Sequence, residues 1–341
     1  MNPSLIIYGD IGGTKTILRA AKEVKADQSF LLERKYASQS YCHLDEIIAD
    51  FLNELRTVQL STNLIKVACF AIAGPIISQQ AQLTNLPWLI NAEALSKKFA
   101  IPHVKLINDF EATALGIEKL AEQDLVVLQA GKFSESEMRV VLGAGTGMGV
   151  AWLPKIDNQY QPLATEAGHI DFAPTNALQI ELFNFLASKF DHVSVERLLS
   201  GPGLTNIFSF LQHRSNQNQT ASLLELSEDE GPLIIELALV QKHLIAMESL
   251  KLFTEIYGAF AGNLALAGLC RGGVYIAGGI APKILQFLKL ECFIQSFRSK
   301  GRFTELMCEI PVHVVMNTQV GLLGAELSAF RLLQNNSLDA G

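Results

Sequence analysis

Leu5-Ile6-Ile7-Tyr8-Gly9-Asp10-Ile11-Gly12-Gly13-Thr14 carries an apolar run straight into a glycine-rich turn, and Val140-Val141-Leu142-Gly143-Ala144-Gly145-Thr146-Gly147-Met148-Gly149 repeats the pattern. Apolar residues resume after each turn, at Ile17-Leu18 and at Val150-Ala151-Trp152. The chain therefore contains a duplicated strand-turn-strand unit in which glycines stand where the backbone bends sharply and approaches something closely. A polyphosphate suits that place, because it needs many N–H donors and little steric bulk. A single turn of this kind would read as a tight hairpin; two favour paired phosphate cradles.

Asp10 adds a carboxylate that a polyphosphate would repel, unless it holds Mg²⁺ or one of the ion's water ligands. Two familiar nucleotide motifs do not fit. A Walker A loop needs Gly directly before Lys-Ser/Thr, whereas Thr14 precedes Lys15-Thr16. The dinucleotide spacing G-x-G-x-x-G meets Met148 where its third glycine belongs, and a strand rather than a helix is expected next.

With 341 residues, 49% of them hydrophobic, the chain can bury a sizeable core and divide into two lobes. A net charge of -7 without a Lys/Arg cluster argues against nucleic acid or an anionic membrane as partner. Cys42, Cys69, Cys270, Cys292 and Cys308 are odd in number and widely spaced, which indicates neither a disulfide framework nor a zinc site and fits a reducing cytoplasm. The first apolar run ends at Asp10, too soon for a signal sequence. The apolar stretch from Ile256 to Cys270 is too short to span a bilayer and reads as a core helix.

The opening meander continues with a third strand from Phe30 to Tyr36. Leu44, Ile47, Ile48, Phe51, Leu52 and Leu55 then recur at helical spacing. Val67 to Ile72 is apolar without alternation, as in a strand covered on both faces of an α/β layer. A helix from Ala92 to Phe99 leads to the strand Val104 to Ile107, so Asn108 and Asp109 fall at a strand's C-terminal end, where open α/β sheets hold ligands. Another helix follows from Ala112 to Leu120. Beyond the second turn the chain becomes helical, with a polar surface loop at Ser215-Asn216-Gln217-Asn218-Gln219 and long apolar helices over Leu233 to Leu269. Ser227-Glu228-Asp229-Glu230 reads as a helix start or a solvated segment rather than a binding site. Gly272 to Ile280 forms a strand bounded by glycine pairs, and a helix from about Gly321 to Leu333 closes the chain.

These segments together resemble the bacterial ATP-dependent glucokinases of the hexokinase-type, actin-like ATPase superfamily. The resemblance runs nearly end to end through Gly9 to Thr14, Ile107-Asn108-Asp109-Phe110, Gly143 to Gly149, Glu166-Ala167-Gly168-His169-Ile170-Asp171-Phe172-Ala173-Pro174, Val195 to Gly203 and Gly273 to Gly279. It implies a two-lobed α/β fold of the ribonuclease H-like kind, with residues 1-119 plus 318-341 as a small α/β domain and 120-317 as a large α+β domain. Kinases of this plan close their lobes around the sugar, which implies a hinge near residues 108 to 120.

By the same resemblance, Gly12, Gly13, Thr14, Gly145, Thr146 and Gly147 bracket the ATP phosphates, and Gly278 and Gly279 border the adenosine pocket. Asp10 serves Mg²⁺, Asp109 is the catalytic base facing the 6-hydroxyl of glucose, and Asn108, Glu166, His169 and Glu196 hold the other hydroxyls. A homodimer is the family default. On position alone Asp109 reads more often as a helix N-cap, His169 as a core histidine and Glu196 as a solvated charge; their company reverses those readings.

Two positions depart from the family's Gly-Glu-Gly-Gly-His segment, which here is Thr165-Glu166-Ala167-Gly168-His169, and Lys15 stands where Asn is common. Thr165 and Ala167 keep a kinase for another hexose or an N-acetylhexosamine as an alternative, alongside a sugar sensor of the same fold. A DNA-binding repressor is not expected, since the first turn begins at Gly9 and the chain is acidic; the cysteine-rich zinc segment that many kinase and repressor-type relatives carry after the sugar-binding histidine is absent, which by the resemblance favours the glucokinase group and argues against a structural zinc.

Overall fold

The computed structural model describes residues 4–22, 30–83, 86–132, 134, 137–216 and 226–338. The chain forms two compact units, Met1–Leu120 with Gln319–Gly341 and Ala121–Thr318.

The first unit opens with β1 (Leu5–Ile11), β2 (Lys15–Lys22) and β3 (Leu32–Ala37), followed by α1 (Leu44–Thr57) and β4 (Ile65–Ile72). A small antiparallel sheet of β5 (Ile76–Ile77), β6 (Gln80–Gln82) and β7 (Leu89–Asn91) precedes α2 (Ala92–Phe99), β8 (His103–Asn108) and α3 (Asp109–Gly116). The main sheet runs β3-β2-β1-β4-β8, with β1, β4 and β8 parallel. Alternation along β1 sends Leu5 and Ile7 to one face, where Ile47, Ile48, Phe51 and Leu55 of α1 pack, and Ile6 and Tyr8 to the other. Leu322, Ala325, Ala329 and Leu333 of the C-terminal helix, Val320–Leu338, cover that second face. Two-sided cover explains the unbroken apolar run of β4.

Tight packing fixes α3 on this helix: a Cβ at Gly324 would fall on the Ala112 carbonyl oxygen, and one at Gly116 on that of Val320. The structure starts α3 at Asp109, three residues before the expected Ala112, because the Asn108 side chain caps it. It ends at Gly116, and a 3₁₀ turn covers Ile117–Lys119.

In the second unit, β9 (Leu125–Gln129), β10 (Arg139–Ala144) and β11 (Met148–Leu153) precede a hairpin of β12 (Lys155–Ile156) and β13 (Gln159–Tyr160), then β14 (Leu163–Thr165). Helices α4 (Ala177–Ala187), α5 (Gly201–Asn216), α6 (Gly231–Leu239) and α7 (Leu244–Ala267) follow. Next come β15 (Val274–Ala277), α8 (Leu285–Leu288), α9 (Glu291–Arg298), α10 (Thr304–Glu309) and β16 (Val312–Val315). The sheet order is β14-β11-β10-β15-β16-β9. A hairpin whose inner strand continues into two parallel neighbours thus occurs twice, as β3-β2-β1-β4-β8 and as β14-β11-β10-β15-β16.

Val140, Leu142, Ile276 and Val314 face the core under α7, whose Phe253, Tyr257 and Ala261 are buried. The apolar stretch expected to be helical from Leu233 to Leu269 is broken at Lys242, which has a φ of 56°, and restarts where His243 Nδ1 accepts from the Ala246 N–H at 3.3 Å. Ser215 and Asn216 end α5 rather than starting a loop, because helical pairing runs through them; Gln217, Asn218 and Gln219 lie outside the described residues.

Candidate active site

In the first unit the β1–β2 turn closes on a single bond, from the Gly12 N–H to the Lys15 carbonyl at 3.0 Å. Ser38 braces it from the side: its hydroxyl donates to Gly12 O at 2.7 Å and its N–H to Thr14 O at 3.0 Å, and Thr16 Oγ1 lies 3.0 Å from its Oγ. The Gly12 amide, expected to serve a phosphate, is therefore spent on closing the turn, which leaves the amides of Gly13 and Thr14. Thr14 is exposed.

Asp10, one residue before the end of β1, lies beside Ala71 of β4, and Asn108 ends β8 beside Ile72, so parallel neighbours bring both to one edge of the sheet. Burial pushes the Asp10 carboxyl above the usual range, and the Lys15 charge works against that push. Asn108 is the N-cap of α3: its Oδ1 accepts from the N–H groups of Phe110 at 2.8 Å and Glu111 at 3.2 Å. Its Nδ2 donates to Gly74 O at 3.0 Å, and the same side chain also bonds the Asp109 carboxyl. The capping task that Asp109 might have filled is thus discharged by its neighbour. Asp109 Oδ1 accepts the Phe110 N–H, at 2.9 Å, and the Asn108 side chain also bonds the carboxyl. Burial first, and the nearby Asp10 charge second, raise the Asp109 carboxyl to about 6.

In the second unit the β10–β11 turn closes in the same manner, with the Gly145 N–H donating to Gly147 O at 2.8 Å. That amide too is spent internally, and the amides of Thr146 and Gly147 remain. A Cβ at Gly145 would meet nothing within 4 Å, and the same is true at Gly279, so the backbone borders open space at both. Gly279 follows β15, whose Ala277 pairs with Gly143 of β10. Between them Gly278 takes a φ of 83° and passes so near Ala144 that a Cβ would stand 2.5 Å from its carbonyl oxygen. Tyr257, buried in α7, accepts the Ala144 N–H on its hydroxyl at 3.1 Å and anchors the strand just before the turn.

Glu166, His169 and Glu196 meet. His169 Nε2 lies 4.0 Å from Glu166 Oε2 and 3.9 Å from Glu196 Oε1. Two 3₁₀ turns, Ala167–His169 and Val195–Arg197, present them, and these are joined by the Val195 N–H donating to Ile170 O at 3.0 Å. All three side chains reach solvent, with Glu196 the most enclosed. Its other oxygen, Oε2, accepts the Met148 N–H at 2.8 Å. Among the described residues no group of three or more His, Cys, Asp or Glu is arranged to hold a metal ion.

The two departures point away from this group. Thr165 Oγ1 donates to Val150 O at 3.0 Å and accepts the Ala167 N–H at 3.2 Å, and the Ala167 side chain is in the core. Ser38, Tyr257 and the Met148 amide went unremarked in the sequence. Ser38 lies in no motif, Tyr257 is one aromatic residue in an apolar helix, and a backbone amide leaves no mark.

A twice-built ribonuclease H-like sheet with a glycine turn on each copy and a polar cluster beside the second is the fold of the actin-like ATPase sugar kinases. The Glucokinase family model matches residues 7–332. A glucokinase of Nostoc sp. is 42% identical over 345 residues, covering 96% of this chain and all of the relative. The crystal structure of a glucokinase from an Antarctic psychrotroph superposes with a TM-score of 0.84 at 28% identity, covering 96% of this chain and 99% of the other. That of a glucokinase from Balamuthia mandrillaris in complex with glucose gives 0.76 at 23%, covering 96% and 94%, a likeness of fold. The chain belongs to the glucokinase family.

Proposed function

We propose that the chain transfers the γ-phosphoryl group of ATP to the 6-hydroxyl of glucose, giving glucose 6-phosphate and ADP, with Asp109 as the base. The observation that carries the assignment is the Asp109 carboxyl: half-buried, relieved of capping by Asn108, and raised to about 6. A base needs a proton affinity near the working pH and a free lone pair, and Asp109 has both. As the sugar oxygen closes on phosphorus, Asp109 orients the hydroxyl and takes its proton.

A sugar hydroxyl about 2.8 Å from each of two polar atoms fits a gap of 3.9–4.0 Å between them, so His169 with Glu166 and with Glu196 offers two such bridges. Neutral hydroxyls donate to the carboxylates and accept from the imidazole. Asn108 contributes its side-chain amide, which also bonds the Asp109 carboxyl and so sets the base beside the sugar. The amides of Gly13, Thr14, Thr146 and Gly147, with the Thr146 hydroxyl, receive phosphate oxygens, and the open backbone at Gly145 and Gly279, beside Gly278, admits the nucleotide.

A Mg²⁺ that travels with the nucleotide keeps most of its waters and needs only one or two carboxylates; the half-buried Asp10, near the end of β1, suits it, directly or through water. When bound, the ion neutralises phosphate charge. The cytoplasm supplies ATP and suits five free cysteines. No helix among the described residues is long and apolar enough to cross a membrane. The exposed apolar side chains of Leu233, Val240, Leu244 and Met247, at the α6–α7 junction, support a homodimer.

Sugar 6-phosphate formation from ATP and Mg²⁺ tests the assignment, with glucose, mannose, fructose and N-acetylglucosamine compared under identical conditions. Preferential turnover of glucose is expected. Turnover of none by a folded protein that binds ATP would shift the assignment to a sugar sensor.

A further inference from the structure

The second glycine turn is bonded at both ends to the segment that carries Glu196. At its start, Gly145 O accepts the N–H of Gly201, the first residue of α5, at 2.9 Å. At its end, the Met148 N–H donates to Glu196 Oε2 at 2.8 Å. Gly147 makes that second bond possible, since a Cβ there would stand 2.5 Å from the same carboxylate oxygen. The opposite side of the Met148 peptide is clamped as well: a Cβ at Gly168, beside His169, would fall on Met148 O. One carboxylate thus faces two ways, with Oε1 turned to His169 and Oε2 holding the turn.

From this geometry we infer that Glu196 is a positioning residue for the nucleotide turn as well as a member of the sugar group, so that glucose and ATP are coupled directly through the Glu196–Met148 bond. The inference rests on the reading of both sites proposed above. A sugar hydroxyl on Oε1 fixes the carboxylate and therefore fixes the Met148 amide; a nucleotide that settles the turn fixes Oε2 and therefore presents Oε1. Coupling of this kind is reciprocal: the factor by which glucose tightens ATP equals the factor by which ATP tightens glucose. It also makes the turn least ordered when no sugar is present, which disfavours transfer to water.

Calorimetric titration with glucose and with a non-hydrolysable ATP analogue plus Mg²⁺, each alone and with the other present, tests the bond through crossed effects. Glu196→Ala is expected to weaken the analogue about tenfold with no sugar present, because a charge-assisted bond to the turn is lost. Gly147→Ala is expected to weaken glucose with no nucleotide present, although residue 147 lies in the nucleotide turn. Glu196→Gln keeps an oxygen for the Met148 N–H, and so restores analogue binding while glucose binding stays impaired. Thermal melts identify the variants that are folded. A folded Glu196→Ala protein that binds the analogue as wild type does would overturn the inference. Wild type that binds neither ligand removes the underlying assignment as well, a result distinct from a wild type that binds both without the crossed losses.

Discussion

Asp10, on β1, and Asp109, the residue directly after β8, stand at the same edge of one sheet on either side of β4, and the charge of Asp10 adds to burial in raising the Asp109 carboxyl to about 6. Burial raises both carboxyls, and at Asp109 the neighbouring charge adds to it, so that this group retains proton affinity near neutrality.

The acid limb of kcat/KM for glucose should accordingly fall at about 6, because the free enzyme must present Asp109 deprotonated. Removing the neighbouring charge in Asp10→Asn should lower the Asp109 pKa, read by carbon NMR titration of the carboxyls. A limb near 4 in wild type would contradict the pairing.

Stability should run against activity at this position. The folded pKa of about 6 exceeds the 3.8 of an unperturbed aspartate, so the folded state binds more protons over that interval. Stability is then fully present below the unfolded pKa and is lost as pH rises through the folded one, by about 3 kcal/mol. Asp109→Asn, which retains an acceptor for the Phe110 N–H, should therefore raise the melting temperature at pH 8 and gain little at pH 4. Equal gains at both pH values would exclude a titrating carboxylate as the cause.

Gly278 and Gly279 should behave oppositely despite being adjacent. Gly278→Ala forces a Cβ against Ala144 O at a left-handed φ and should destabilise the fold. Gly279→Ala meets nothing, so its melt should match wild type while ATP binds more weakly. Identical behaviour of the two in both assays would remove Gly279 from the nucleotide site.

Tyr257→Phe deletes the acceptor of the Ala144 N–H deep in the core. An orphaned buried donor costs roughly 1–3 kcal/mol, and the slackened turn should raise the KM for ATP more than that for glucose. Denaturant melts and paired KM measurements read both effects.

Thr165 and Ala167 should not set sugar preference, because one hydroxyl is committed to backbone and one methyl to the core. Thr165→Gly and Ala167→Gly should leave the order of sugars unchanged in a turnover panel. A swing toward N-acetylglucosamine would place one of them against the substrate.

Much of this molecule was legible because its patterns are local. Alternation and glycine spacing mark β1, β2, β10 and β11, and the period of Leu44 to Leu55 marks α1. The start of α3 was missed because Asn108, read as a ligand, also caps the helix. The break at Lys242 has no Pro or Gly to announce it. The committed amides of Gly12 and Gly145 were invisible for another reason: whether an N–H faces a ligand or its own turn depends on how the turn closes, which composition does not encode. The link from Glu196 to Met148 spans 48 residues and involves a backbone donor, so no spacing rule reveals it.

The most direct test of the account is glucose 6-phosphate formation by Asp109→Asn in a single-turnover quench, with glucose binding measured on the same preparation. The account predicts a folded protein that binds glucose and transfers phosphoryl roughly 10²- to 10⁴-fold more slowly. Near-wild-type transfer by that protein would contradict it, since the Asp109 carboxylate would then not be needed to take the proton.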